Sequence, residues 1–367
     1  MRFGWALIAA WLLLAGIDEA RAGAGDQGAA SGEEQLSSPS TRPPEPGEQY
    51  PARIEEQERE NRPRPERRRR RETADWRLSI DASVVADSNI TNSTDAETVD
   101  LTLNGQVLPV PLDPSLREQS GIGLGLSAHV RGRIPVTGGV SVAVDAEGFV
   151  LEQEGGRADD SSALLAAGVE LSGESGPTVL IQMIGFDRRY SGVSAMRGIG
   201  ARARLRQPVG EGQTVALFVD ARFFESDYGE DFEGTEAGAY LTYEAVLRPD
   251  LSGSLGVYVR GSWLGAEAYS NREFGAYAGL NHYLSGDLIG GLSAGVSRVL
   301  FDGPVLALSP DPRSDWRWYG SLYVATRQPV LAGLTPSLTY TFNGTGSSIE
   351  YYRADRHRLR LGLSRTF

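Results

Sequence analysis

From Trp76 to Phe367 apolar and polar residues alternate with a period of two, in one segment after another. No other feature narrows the choice of fold as much. In the first segment Trp76, Leu78, Ile80, Ala82 and Val84 interleave with Arg77, Ser79, Asp81 and Ser83. Successive side chains of a strand point to opposite faces, so one face is oily and the other polar. The pattern returns near 120–131, 139–148, 163–172, 178–186, 196–206, 213–224, 235–247, 251–263, 272–284, 287–298, 316–327, 333–343 and 355–367, giving fourteen segments. Their lengths suit a tilted strand crossing a bilayer.

The connections fall into two alternating classes. Short turns lie near 132–138, 173–177, 207–212, 248–250, 285–286 and 328–332. Longer stretches rich in Asp, Glu, Ser, Gly and Asn lie near 87–119, 149–162, 187–195, 225–234, 264–271, 299–315 and 344–354. A soluble sandwich has no reason to gather its long loops at one end, whereas an outer-membrane barrel has short periplasmic turns and longer extracellular loops. The expected fold is all-β, a transmembrane antiparallel β-barrel of about 14 strands in the outer membrane of a Gram-negative bacterium, with both termini periplasmic. Trp76, Phe186, Trp263, Tyr283, Trp316, Tyr340 and Phe342 sit near segment ends and are expected in interfacial girdles. The polar set contributes candidate lumen charges: Asp81, Asp145, Glu147, Arg202, Arg204, Arg206, Asp220, Arg222, Arg260, Arg317, Arg356, Arg358 and Arg360.

Composition removes other classes. The 367 residues include no cysteine, which excludes disulfide scaffolds and thiolate metal sites. All 36 basic residues are arginine, and 48 acidic ones leave a formal charge of -12, so no nucleic-acid partner is expected. Residues 1–22 carry Arg2, an apolar stretch from Trp5 to Ile17 and the triplet Ala20-Arg21-Ala22, and read as a signal peptide cleaved after Ala22. Residues 23–75 are rich in Gly, Ser, Pro, Glu and Arg and are expected to be a disordered periplasmic segment. Within them Arg53 to Arg71 hold nine arginines against five glutamates. That run reads as a solvated linker or as a site for acidic lipid headgroups or an acidic protein.

Few residues suggest chemistry. Gly291-Leu292-Ser293-Ala294-Gly295 matches a nucleophile-elbow pattern but lies in an alternating segment with no helix after it. His129, His282 and His357 fall on the second, tenth and fourteenth segments, without an evident carboxylate pattern. His129 and His357 would approach only through closure of the barrel. Gly121-Ile122-Gly123-Leu124-Gly125 reads as strand rather than phosphate loop. No enzyme activity, cofactor or metal is expected.

Two stretches carry a family resemblance. The first is Asp87-Ser88-Asn89-Ile90-Thr91-Asn92, at the end of the first segment. The second runs from Ser337-Leu338-Thr339-Tyr340 through Asp355-Arg356-His357-Arg358-Leu359 to Leu361-Gly362-Leu363-Ser364-Arg365-Thr366-Phe367. Together they resemble the C-terminal barrel domain of surface lipoprotein assembly modifiers, over residues 76–367. Asp87, Ser88, Asn89, Ile90 and Asn92 match the family motif. Short polar side chains there suit a shaped strand exit. Leu359, Leu361, Gly362, Leu363 and Phe367 resemble the C-terminal signal read by the barrel-assembly machinery, which is then an expected partner besides outer-membrane lipid.

The resemblance implies a fourteen-stranded barrel that helps specific lipoproteins or soluble proteins, of unknown identity, reach the cell surface or medium. Such proteins usually carry a periplasmic helical-repeat domain, and residues 23–75 are too short and polar to be one. Cargo reception would then fall to a separate partner, the cargo would be simpler, or the activity would be lost. The alternative is a passive porin for small solutes, with the arginine rows setting anion preference.

Overall fold

A computed structural model describes residues 73–367 apart from 104–105, 157, 174–175, 286 and 331–332; the expected signal peptide and the tail up to residue 72 lie outside the described residues. In chain order the strands are β1 (Asp75–Asp87), β2 (Thr98–Leu103), β3 (Gln106–Pro111), β4 (Gly121–Thr137), β5 (Val140–Gln153), β6 (Asp160–Ser172), β7 (Thr178–Tyr190) and β8 (Val193–Gly210). They continue as β9 (Gln213–Glu225), β10 (Gly234–Arg248), β11 (Leu251–Leu264), β12 (Asn271–Ser285), β13 (Leu288–Pro304), β14 (Pro312–Thr326), β15 (Thr335–Ser347) and β16 (Ala354–Thr366). All but β2 and β3 form one closed antiparallel barrel in the order β1, β16, β15 and onward down to β4, which returns to β1. The fourteen wall strands are the fourteen alternating segments.

Closure solves the edge problem, because every backbone group inside the bilayer finds a partner only when no strand is left at an edge. Thirteen residues of β1 at about 3.3 Å each, tilted by about 40°, reach roughly 33 Å, enough to cross the hydrocarbon. Ile80 and Val84 of β1, Leu124 and Leu126 of β4, Leu255 and Val257 of β11 and Leu359 and Leu361 of β16 are exposed on the outer wall. Their neighbours of opposite parity, such as Ser83, Asp145, Gln182, Glu236 and Glu273, are buried on the inside. Trp76, Trp263, Trp316 and Tyr340 stand outside as expected of girdle residues.

Several boundaries differ from expectation. The stretch 87–119 contains a hairpin, β2 paired with β3, which the sequence had suggested was loop. The expected long connections shrink: 149–162 becomes 154–159, 299–315 becomes 305–311, and 187–195 becomes the two residues Ser191 and Gly192. The last is a tight turn with φ of 48° and 81°, both left-handed, the geometry that suits a two-residue hairpin. Beyond the hydrocarbon both faces of a strand meet water, so pairing continues while the oily alternation stops. Phe186 and Tyr283 are not girdle residues. Phe186 packs against an internal cluster on β7 to β9, and Tyr283 against Ile289, Tyr323 and Ala325.

Candidate functional site: the seam and the long-loop mouth

The ring closes where β1 meets β16, from Ser79 opposite Thr366 to Asp87 opposite Arg358. On its other edge β1 pairs β4 over the longer run from Asp75 opposite Arg133 to Asp87 opposite Gly121. Backbone bonds between Leu78 and Phe367, and from Ser88 N–H to His357 O at 2.9 Å, extend the seam at each end.

Both stretches that carry the family resemblance meet at the long-loop end of this seam. Arg356 donates through Nη2 to Asp87 Oδ2 at 2.6 Å and through Nε to both carboxylate oxygens at 3.0 Å. The Asp87 side chain is fully enclosed, a place where a carboxylate needs such a charged fork. Asp87 Oδ1 also accepts from the Asn89 N–H at 3.0 Å. Ser88 Oγ accepts from the His357 N–H at 2.9 Å. Asn89, with no exposed surface, uses its whole amide: Nδ2 donates to Ser93 O (2.7 Å) and to Asp355 O (3.1 Å), and Oδ1 accepts from the Ser93 N–H (3.0 Å). Asn92 has a left-handed φ of 53°, which an Asn tolerates better than most residues. The motif therefore does more than shape an exit. It ties the first strand to the last.

From this latch the chain turns inward. Ile90, 5 % exposed, packs in a cluster with Ala158 from the β5–β6 loop and Tyr190, Ala195, Met196 and Phe224 from the inner faces of β7 to β9. Phe186, Tyr228 and Leu264 lie against it. Tyr228 Oη donates to Tyr190 O at 3.4 Å, and burial pushes the Tyr228 phenol above its ordinary pKa. On the other side Thr94, 1 % exposed, donates to Glu350 O at 3.3 Å. Nearby Arg313 lies between the rings of Phe301 and Tyr352, at 3.8 and 3.7 Å from their centroids.

Below the mouth the inner wall is a mosaic of opposite charges. Asp145 accepts from Arg131 (3.0 Å), Gln182 (2.7 Å) and Arg202 (3.2 Å), and Arg202 also donates to Gln182 at 2.9 Å. Arg206 pairs with Glu244 (3.2 Å), Arg222 with Asp220 (3.1 Å) and Arg260 with Glu236 (2.9 Å). Arg317 lies 3.8 Å from both Glu273 and Asp315. Arg360 is bonded to Asp81 across the seam. Arg204 lies over the Phe218 ring. Arg358 stands at the rim, beside a cavity of about 500 Å3 lined by Ala86, Ser88, Ile122, Tyr340, His357 and Leu359. The carboxylates Glu236, Glu244, Glu273 and Asp315 were not singled out from sequence, although extending the same parity along each strand would have reached them.

The histidines correct an expectation, since carboxylates do accompany two of them. His129 Nε2 faces the lumen 3.8 Å from Asp145 and 3.7 Å from Glu147. His282 is hydrogen-bonded at 2.9 Å to Asp250 in the β10–β11 turn, and this bond holds the Asp250 carboxyl below its ordinary pKa. His357 points outward and bonds Tyr340 Oη at 2.7 Å, so it does not meet His129. Ser293 is buried inside β13, opposite Ser321, on strand rather than at a sharp turn. Of the C-terminal set, Leu359 and Leu361 face out, Leu363 is half-buried, Gly362 faces in toward Asp81 and Ser337, and exposed Phe367 follows β16 with Arg365 over its ring.

A closed ring of fourteen antiparallel strands, oily outside and ion-paired within, is an outer-membrane β-barrel. The profile of the surface lipoprotein assembly modifier family matches residues 76–367. The chain belongs to that family. No curated protein matches it in sequence. Among solved structures, a FadL homologue of Pseudomonas aeruginosa aligns at 9% identity and a TM-score of 0.47, over 80% of this chain and 90% of that one. The outer membrane channel DcaP of Acinetobacter baumannii aligns at 13% identity and a TM-score of 0.43, over 80% and 97%. OmpT of Vibrio cholerae, lacking loop L8, aligns at 8% identity and a TM-score of 0.42, over 80% and 99%.

Proposed function

We propose that this barrel helps specific lipoproteins or soluble proteins pass the outer membrane to the cell surface or medium, without enzymatic chemistry. Membership of the surface lipoprotein assembly modifier family over residues 76–367 carries the reading. The latch adds support, because Asp87, Ser88 and Asn89 are spent on one another and on β16 rather than on a reactive centre. In this reading the short-turn end faces the periplasm, the Leu359–Phe367 segment is read by the barrel-assembly machinery, and cargo arrives from the periplasmic side.

The porin reading rested on arginine rows setting an anion preference. Arg202, Arg206, Arg356 and Arg360 each have a carboxylate partner, which removes most of the field such rows would exert. The deciding experiment compares surface-exposed and secreted proteins of wild-type cells, a deletion strain and a strain complemented with the full chain. The expected result is loss of one or a few proteins, restored on complementation. An unchanged profile overturns the proposal.

A further inference from the structure

The side chains of a fourteen-strand wall do not fill its interior, since only barrels of about eight strands are closed by side chains alone. Yet Asn89, Thr94 and Met196 at the long-loop end are 0, 1 and 1 % exposed. The chain leaving β1 turns in among these groups, and its Ile90 is buried against them. Ile90 lies within reach of Gly121, where a Cβ would sit 3.1 Å from its Cγ2. It also belongs to the apolar cluster formed by Tyr190, Met196 and Phe224, on strands four to six places around the ring from β1. Groups from well-separated parts of the wall therefore converge on one short segment.

We propose that residues 88–94 are a plug that closes the long-loop mouth, with Ile90 as its seat and Asp87–Arg356 and Asn89–Asp355 as its hinge-side anchors. The anchors are polar and lie at the wall. The seat is apolar and lies over the lumen. Such an arrangement lets the segment release its seat while staying attached to β1. Apolar seating also suits an otherwise charged channel, because the plug binds through surface that ions and small polar solutes cannot contact favourably. The inference stands on this geometry and does not rest on the translocation reading.

The test is single-channel conductance of the purified full chain in planar bilayers. Ile90→Asp places a carboxylate in the apolar seat and is expected to raise mean conductance by at least about fivefold. The chain has no native cysteine, so Ile90→Cys/Gly121→Cys forms one defined cross-link. Oxidised, this pair is expected to abolish openings, and reduction is expected to restore them. If Ile90→Asp does not fold into a heat-modifiable barrel, the cysteine pair alone carries the test. Wild-type conductance in a folded Ile90→Asp barrel, or equal conductance of the oxidised and reduced pair, overturns the plug. Because conductance is read without cargo, an export experiment that fails overturns only the translocation reading.

Discussion

Asp87 shows how much structure one side chain can hold. Its carboxylate joins a guanidinium from the far end of the sequence to the backbone of its own turn. Replacing it by Ala leaves Arg356, 12 % exposed, without its partner. Removing one member of a buried pair costs about 3 kcal/mol or more, so Asp87→Ala is expected to lower the temperature at which the compact barrel unfolds on a semi-native gel. An unchanged transition would mean that the latch adds nothing to stability. Asn92 offers the opposite test. With its φ of 53°, Asn92→Gly is expected to be neutral, while Asn92→Val costs about 1 kcal/mol or more in the same assay. The identity of these residues was visible through the family resemblance. Their partners were not, because no local pattern reports that Asn89 bonds a carbonyl 266 positions away.

At the scale of strands, the outer wall sets the strongest constraint. Leu361 is 56 % exposed, on the lipid-facing side of β16. Leu361→Arg is expected to cost about 2–4 kcal/mol if the side chain lies near the bilayer midplane, measured by denaturant titration in lipid vesicles. A negligible cost would move that position out of the hydrocarbon. The β10–β11 turn makes a pH prediction. His282 lowers the folded-state pKa of Asp250, so the bond stabilises the turn above the unfolded aspartate value near about 3.9 and fades as pH falls through the lower folded value. Amide exchange in the turn should therefore rise below about pH 4 in the wild type, and Asp250→Asn should remove that acid-dependent step. The fourteen wall strands and the parity of their faces could be read from the period of two. Strand ends on the long-loop side could not, because the oily face stops at the membrane while the ladder continues. The hairpin of β2 and β3 escaped notice for a related reason: Val107, Leu108 and Val110 of β3 are all exposed, so that strand has no buried face to impose alternation.

For the whole molecule, the inner wall balances its charges across neighbouring strands rather than gathering one sign. Open wild-type channels are therefore expected to show a reversal potential near zero in a potassium chloride gradient. Asp145→Asn removes the carboxylate shared by Arg131 and Arg202 and should shift the potential toward anion selectivity. Strong anion selectivity in the wild type would contradict the pairing. The mosaic was half legible, since the arginines stood out in rows while their carboxylate partners were scattered over other strands.

The seam also bears on how the molecule is made. Ser79 and Thr366 bond across 287 positions of chain, so the two strands that complete the ring are the first and the last of the wall to emerge from synthesis. Until β16 arrives, β1 and the newest strand each present an unsatisfied edge, and no shorter piece of the wall can close in the same register. Assembly thus has a built-in completeness check: a chain interrupted before Ala354 keeps an open edge that a quality-control protease or a chaperone can recognise.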